Sequence, residues 1–88
     1  MKIENLKLLS LKDQRLILTQ IEEVTADLGE PDCKLIEPFD LNPDTMELAP
    51  WFVNLTNQNE FMIHSDNILT IMEPNGKLNV KYEELLTE

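Results

Sequence analysis

The sequence predicts a small, mostly-β domain closed by a C-terminal helix, and three observations carry that expectation. Pro31, Pro38, Pro43 and Pro50 recur every five to seven residues, a spacing that no helix tolerates in its interior. Two short β-rich runs, Phe61-Met62-Ile63 and Ile68-Leu69-Thr70-Ile71-Met72, flank the polar tetrapeptide His64-Ser65-Asp66-Asn67, which is a hairpin-like unit. After the break at Pro74-Asn75-Gly76, Leu78, Tyr82, Leu85 and Leu86 fall at i, i+4, i+7 and i+8, the stripe of an amphipathic helix.

Residues 1–28 leave two readings open. Ile17, Ile21, Val24 and Leu28 follow a helical stripe that stops at Gly29 and Pro31, and periodicity alone slightly favours a helix over 14–28. Against it, Leu6 with Leu8 and Leu16 with Leu18 alternate as strands do, with Lys12-Asp13-Gln14 between them as a hairpin loop. Beyond Pro31, extended pieces are expected at 33–36, at 47–53 around Pro50 and at 60–63, with the Asn-rich stretch 54–59 as a loop. If Trp51 and Phe52 lie on a strand, they face opposite ways, one into the core and one to the surface. Met46, Met62 and Met72 read as core filler.

The chain has 88 residues, with 17 acids against seven bases and a formal charge of −10. A hydrophobic content of 42% suits a folded domain and argues against a disordered acidic tail. One domain fits this length. A chain this short buries only about 60–65% of its unfolded surface, so self-association is the expected route to more apolar burial. The charge is unevenly placed: residues 1–21 carry a net +2, residues 22–47 a net −8 and residues 48–88 a net −4. The acidic middle should repel polyanions unless the basic N-terminal segment forms a local patch. No apolar run reaches the roughly 18–20 residues of a membrane span. Met1-Lys2-Ile3-Glu4-Asn5 has no signal-peptide layout and Cys33 is the only cysteine, so a cytoplasmic location is expected, with no membrane partner.

Candidate chemistry is sparse. Asp40-Leu41-Asn42-Pro43-Asp44 resembles the start of a calcium loop, but the sixth and twelfth positions hold Thr45 and Trp51 instead of Gly and Glu, so a solvated turn is expected. His64 and Cys33 could form a nucleophilic pair only if the fold joined them. A buried cysteine and a surface histidine are the expectation, and with them no catalytic residues, no metal and no cofactor. Asn54-Leu55-Thr56 is a formal glycosylation sequon without a secretory context.

The stretch from Phe61 to Ile71 resembles the second signature of Sm-like (Sm/LSm) proteins, in which an apolar strand runs through Arg-Gly-Asp/Asn into another apolar strand. Over about residues 5–86 the chain is similar to short Sm-like proteins of marine cyanophages and ocean metagenomes. The features that carry this are the leading runs 6–11 and 15–24, Leu35-Ile36-Glu37-Pro38, Pro50-Trp51-Phe52, and Ile71-Met72-Glu73-Pro74 leading to Tyr82. The resemblance implies a five-stranded Sm-like (SH3-type) open barrel within about residues 3–73. It also implies a C-terminal helix over about 75–87 and edge-to-edge assembly into a cyclic homo-oligomer of about five to seven subunits. It turns residues 1–28 into two strands with a hairpin at Lys12-Asp13-Gln14.

The same resemblance implies binding of single-stranded RNA or DNA in RNA/DNA processing. The base would meet His64, Ser65, Asp66 and Asn67, and Lys12 and Arg15, with Lys2 and Lys7, would track phosphates. The first signature's Gly and Asp-x-x-Met-Asn are absent, and His64-Ser65 replaces Arg-Gly. The competing expectation is an acidic phage-type adaptor or scaffold that contacts a basic protein through residues 22–47 without nucleic acid. If phage-encoded, the protein would occupy the host cytoplasm.

Overall fold

A computed structural model describes residues 5–52 and 55–86. Lys2, Val53, Asn54 and the outermost ends expected for the first strand and the last helix lie outside the described residues. The chain forms β1 (Leu6–Leu11), β2 (Leu16–Glu23), β3 (Cys33–Asn42), β4 (Glu47–Pro50) and β5 (Glu60–Ile63). A 3-10 turn (Ser65–Asn67), β6 (Ile68–Met72) and helix α1 (Gly76–Leu86) complete it.

β1 and β2 pair antiparallel, with Leu8 opposite Leu18 and Leu9 opposite Ile17. These consecutive pairs face opposite sides of the sheet, so both sides of this hairpin are apolar. The stripe that suggested a helix over 14–28 is therefore a strand followed by a loop. A spacing of four residues repeats a face in a strand as well as in a helix, which is why Ile17 and Ile21 satisfied both. Leu28, the stripe's last member, is fully exposed.

The tip is closed by the Leu11 N–H donating to the Arg15 carbonyl and the Gln14 N–H to the Leu11 carbonyl, both 3.0 Å. Gln14 sits at φ +72°, the left-handed residue that follows the turn in a three-residue hairpin loop.

β3 is longer than the expected 33–36 and runs straight through Pro38. One of its edges pairs with β2; the other is shared. Residues 33–36 pair with β5, with Leu35 opposite Phe61. Residues 39–42 pair with β4, with Leu41 opposite Leu48. The halves are separated by a bulge, because Leu18 and Gln20 of β2 oppose Phe39 and Ile36 of β3. Glu37 takes φ +51° within it. Proline is admitted to a strand at such a bulge, where no ladder donor is needed.

The strand order is β4-β3-β2-β1-β6, with β5 beside β4 against β3. Among the described residues there are six strands instead of the five that the resemblance implies, 47–50 and 60–63 pairing separately with the two halves of β3. In a flat sheet β5 and β6 would stand four strand spacings apart, about 19 Å. Five Cα steps join Ile63 to Ile68, and the 3-10 turn shortens even that reach. The sheet therefore curls, and the core confirms it: Phe61 and Ile63 of β5 pack with Ile68 of β6 around Leu9, Leu11, Ile17, Leu35 and Trp51.

The opposite face is covered by α1. Asn75 Oδ1 accepts the Leu78 N–H at 3.0 Å and caps the helix start. Leu78 and Tyr82 then pack on Leu6, Leu18, Phe39 and Leu41. The Tyr82 ring meets Phe39 edge-on at 5.5 Å. Its hydroxyl lies 2.9 Å from the Glu37 carbonyl and 3.2 Å from that of Ile36, so the helix also ties down the bulge.

Several expectations are corrected. Met46 and Met62 are exposed, because each sits where the chain turns outward or on the outer side of an edge strand; they are not core filler. Trp51 and Phe52 follow β4 instead of lying on it, so their rings stack on each other at 4.8 Å in place of facing apart. Asp40 belongs to β3 and is half-buried, and the turn lies beyond it, with the Asn42 side chain accepting the Asp44 N–H at 2.9 Å.

Candidate nucleic-acid site

The 3-10 turn runs from the end of β5, beside the start of β3, to the end of β1. It thereby divides the expected site in two. His64, Ser65 and Asp66 face the β2–β3 loop, whereas Asn67 faces the β1–β2 hairpin.

The first part is an acidic cleft of about 270 Å³ lined by residues 26–30, Asp32, His64, Ser65 and Asp66. Asp27, Glu30, Asp32 and Asp66 all contribute carboxylates there, and among the described residues no lysine or arginine does. Ser65 fastens the two loops, donating its backbone N–H to Asp32 Oδ1 at 2.7 Å and its hydroxyl to Oδ2 at 2.9 Å. The Ser65 backbone bond, followed by its hydroxyl bond, holds the Asp32 carboxyl below its ordinary range. Asp32 is thus a structural clasp that stays ionised, and the cleft is a poor place for a phosphate.

The second part lies at the other end of the turn. Lys12 donates its backbone N–H to the Asn67 carbonyl at 2.9 Å. Lys12, Arg15 and Asn67 share a cleft of about 400 Å³ with Trp51, Phe52 and Ile63. Arg15 Nε is 3.3 Å from Asp13 Oδ2, an exposed pair worth at most about 1 kcal/mol. The structure thus brings together Lys12, Arg15 and Asn67, and places His64, Ser65 and Asp66 elsewhere. Lys7 is not at this site; it pairs with Glu73 of the β6–α1 connection.

Trp51 and Phe52 line the same cleft. Their signal in the sequence was the adjacent aromatic pair, which read as one core and one surface residue. Trp51 is buried edge-on to Phe61, with centroids 5.6 Å apart, while Phe52 is 40% exposed over it. Phe52 holds φ +53°, and its carbonyl accepts the Leu55 and Thr56 N–H groups at 2.9 and 3.2 Å. A bulky residue in this region costs roughly 1–2 kcal/mol, which stacking of its ring on Trp51 offsets in part.

The Trp51 Nε1–H is buried without a hydrogen bond of normal geometry. It interacts with the Asp40 carboxyl, whose pKa burial pushes up while the Arg15 cation and the indole hold it down. Arg15 is thus flanked by Asp13 and by a partly desolvated Asp40. Among the described residues no group of three or more histidine, cysteine or acidic side chains is placed to hold a metal ion. Nor is any helix among them long and apolar enough to cross a membrane.

A model of a protein family of unknown function, DUF6561, matches residues 4–87. The chain belongs to the DUF6561 family. The match spans both layers of the fold and both clefts. No curated protein matches the chain.

Proposed function

We propose that this DUF6561 protein is an Sm-like, ring-forming protein that binds single-stranded nucleic acid and serves RNA or DNA processing. The observation that carries binding is the convergence of Lys12, Arg15 and Asn67 beside an exposed aromatic ring. Single strands are held by cations that follow the backbone and by aromatic faces that take the bases.

Ring assembly is supported by the two open edges of the curled sheet. β6 carries no charged residue, and Leu69 and Ile71 are 63% and 56% exposed on it. β5, at the other edge, exposes Met62. Edge strands that stay monomeric are usually blunted by lysine, proline or a bulge directed outward; these edges suit pairing with a second copy.

Light scattering during size-exclusion chromatography should give a discrete mass of about five to seven subunits, unchanged by salt. Fluorescence anisotropy with a labelled ten-nucleotide oligouridylate should then show binding that weakens as salt rises. Two cations per subunit give a log–log slope of about −1.4 for each subunit engaged. A clean monomer overturns the ring.

The acidic cleft favours a second reading, a scaffold that contacts a basic protein surface through Asp27, Glu30, Asp32 and Asp66. An intact oligomer that ignores oligouridylate even at about 50 mM salt, where phosphate binding is strongest, removes the first reading and leaves this one.

A further inference from the structure

We propose that the cleft between the β1–β2 hairpin and the turn after β4 takes one unstacked base of the single strand on the exposed face of Phe52, with the flanking phosphates on Lys12 and Arg15. This rests on the reading above and assigns its ligand contacts. The contacts lie away from the His64-Ser65-Asp66 end of the 3-10 turn, whose cleft carries carboxylates and, among the described residues, no lysine or arginine.

Three features of the cleft fit such an occupant. Its volume, about 400 Å³, accommodates a base with its sugar. One wall is an aromatic stack: Phe52 lies on Trp51 with 28° between the rings, and Phe61 stands beside Phe52 at 5.9 Å. A base laid on Phe52 extends that stack by one ring, an arrangement open to any base because every base has a π face.

The opposite wall is polar. Lys12 and Arg15 are exposed on a hairpin tip that the Lys12–Asn67 backbone bond holds against the 3-10 turn. In the lining, Lys12 and Arg15 stand against the single carboxylate of Asp13, which gives the cleft the sign a phosphate requires. Asn67 brings a carboxamide to the same rim, able to donate and accept at a base edge. Asp13 also lines the cleft and pairs with Arg15; it opposes the strand and weakens binding without blocking the ring face.

The experiment is anisotropy on the full-length oligomer with two labelled ten-nucleotide strands, oligouridylate and an abasic strand of equal charge, for the wild type and for Phe52→Ala and Asp13→Asn. Trp51, the only tryptophan, reports in parallel. Stacking predicts that Phe52→Ala weakens oligouridylate binding at least about fivefold, that the abasic strand binds wild type at the weakened level, and that Asp13→Asn tightens both. Trp51 emission should change with oligouridylate and not with the abasic strand. Equal binding of the two strands by wild type overturns the base site while leaving phosphate binding, and hence the broader reading, intact. No binding of either strand overturns both. The comparison of strands on unmodified protein keeps the test decisive should Phe52→Ala fail to fold.

Discussion

Replacing Tyr82 with phenylalanine removes one oxygen from the place where the two layers of the molecule meet. The ring is fully buried and keeps its contact with Phe39, so packing is unchanged and the effect isolates the hydroxyl. That hydroxyl receives the Gln20 Nε2–H at 3.2 Å and faces the carbonyls of Glu37 at 2.9 Å and Ile36 at 3.2 Å. With a single proton it serves the nearer carbonyl best. Ile36 keeps a second donor, the Thr19 hydroxyl at 3.1 Å; the Glu37 carbonyl loses its side-chain donor. One lost hydrogen bond costs about 0.5–1.5 kcal/mol, and a buried carbonyl left without a donor raises the cost to about 1–3 kcal/mol. We therefore expect a loss of about 2 kcal/mol. For a domain of this size that lowers Tm by roughly 8–16 °C. Urea unfolding at fixed protomer concentration, with an unchanged slope, is the assay. A loss under about 0.5 kcal/mol would refute the view that α1 holds the β3 bulge through this hydroxyl, and would leave the helix as an apolar cover alone.

Two further outcomes follow from local geometry. Gln14→Gly, at φ +72° in the hairpin tip, should raise stability by about 0.5–1 kcal/mol by relieving the left-handed conformation, measured as a higher urea midpoint; an unchanged or lower midpoint means that glycine's extra freedom in the unfolded chain wins. Ser65→Ala should let the Asp32 pKa rise toward 3.8, followed by carboxyl NMR titration. Because the folded-state value is depressed, the clasp contributes stability above the unfolded-state pKa and loses it as pH falls through the folded one. The variant keeps the backbone N–H bond, the larger cause, and should lose only the hydroxyl's share of that acid-side dependence; an Asp32 titration unchanged by it would show that the Ser65 hydroxyl is not a cause.

The β-rich course of residues 31–72 and the closing helix were legible because proline spacing, short β-branched runs and a 3.6-residue stripe each have one physical meaning. Residues 1–28 were legible in part: the alternation and the Lys12-Asp13-Gln14 loop matched β1 and β2, but a four-residue spacing repeats a face in both structures, so periodicity alone did not decide between them. The turns were also obscured. Gln14, Glu37, Met46 and Phe52 all occupy positive φ, so glycine, the usual marker of such positions, stands at none of them. Pro38 read as a strand end because the bulge that accommodates it is a product of β2 pairing. At the site, the contiguous stretch 64–67 suggested one surface, yet a 3-10 turn advances so little per residue that its two ends address different loops. Lys12 and Phe52 are forty residues apart in the sequence and meet only because β1 ends near the turn that follows β4, which no local spacing records.

The separation of the two clefts decides how a chain with a net charge of −10 could hold a polyanion at all. A phosphate near Asp27, Glu30, Asp32 and Asp66 meets repulsion that assembly multiplies, and the Ser65 bonds favour the charged form of Asp32. At the hairpin tip the nearest acids are Asp13, already engaged with Arg15, and Asp40, whose burial favours the neutral form. The more distant carboxylates are screened beyond roughly 8–10 Å at physiological ionic strength. Screening also weakens the Lys12 and Arg15 contacts, but those are short-range. Moderate salt therefore removes the long-range repulsion before it removes the local attraction. Affinity for a short strand should consequently fall less steeply at the lowest salt, where screening of the repulsion offsets part of the loss, and the higher-salt range should carry the full counterion-release slope.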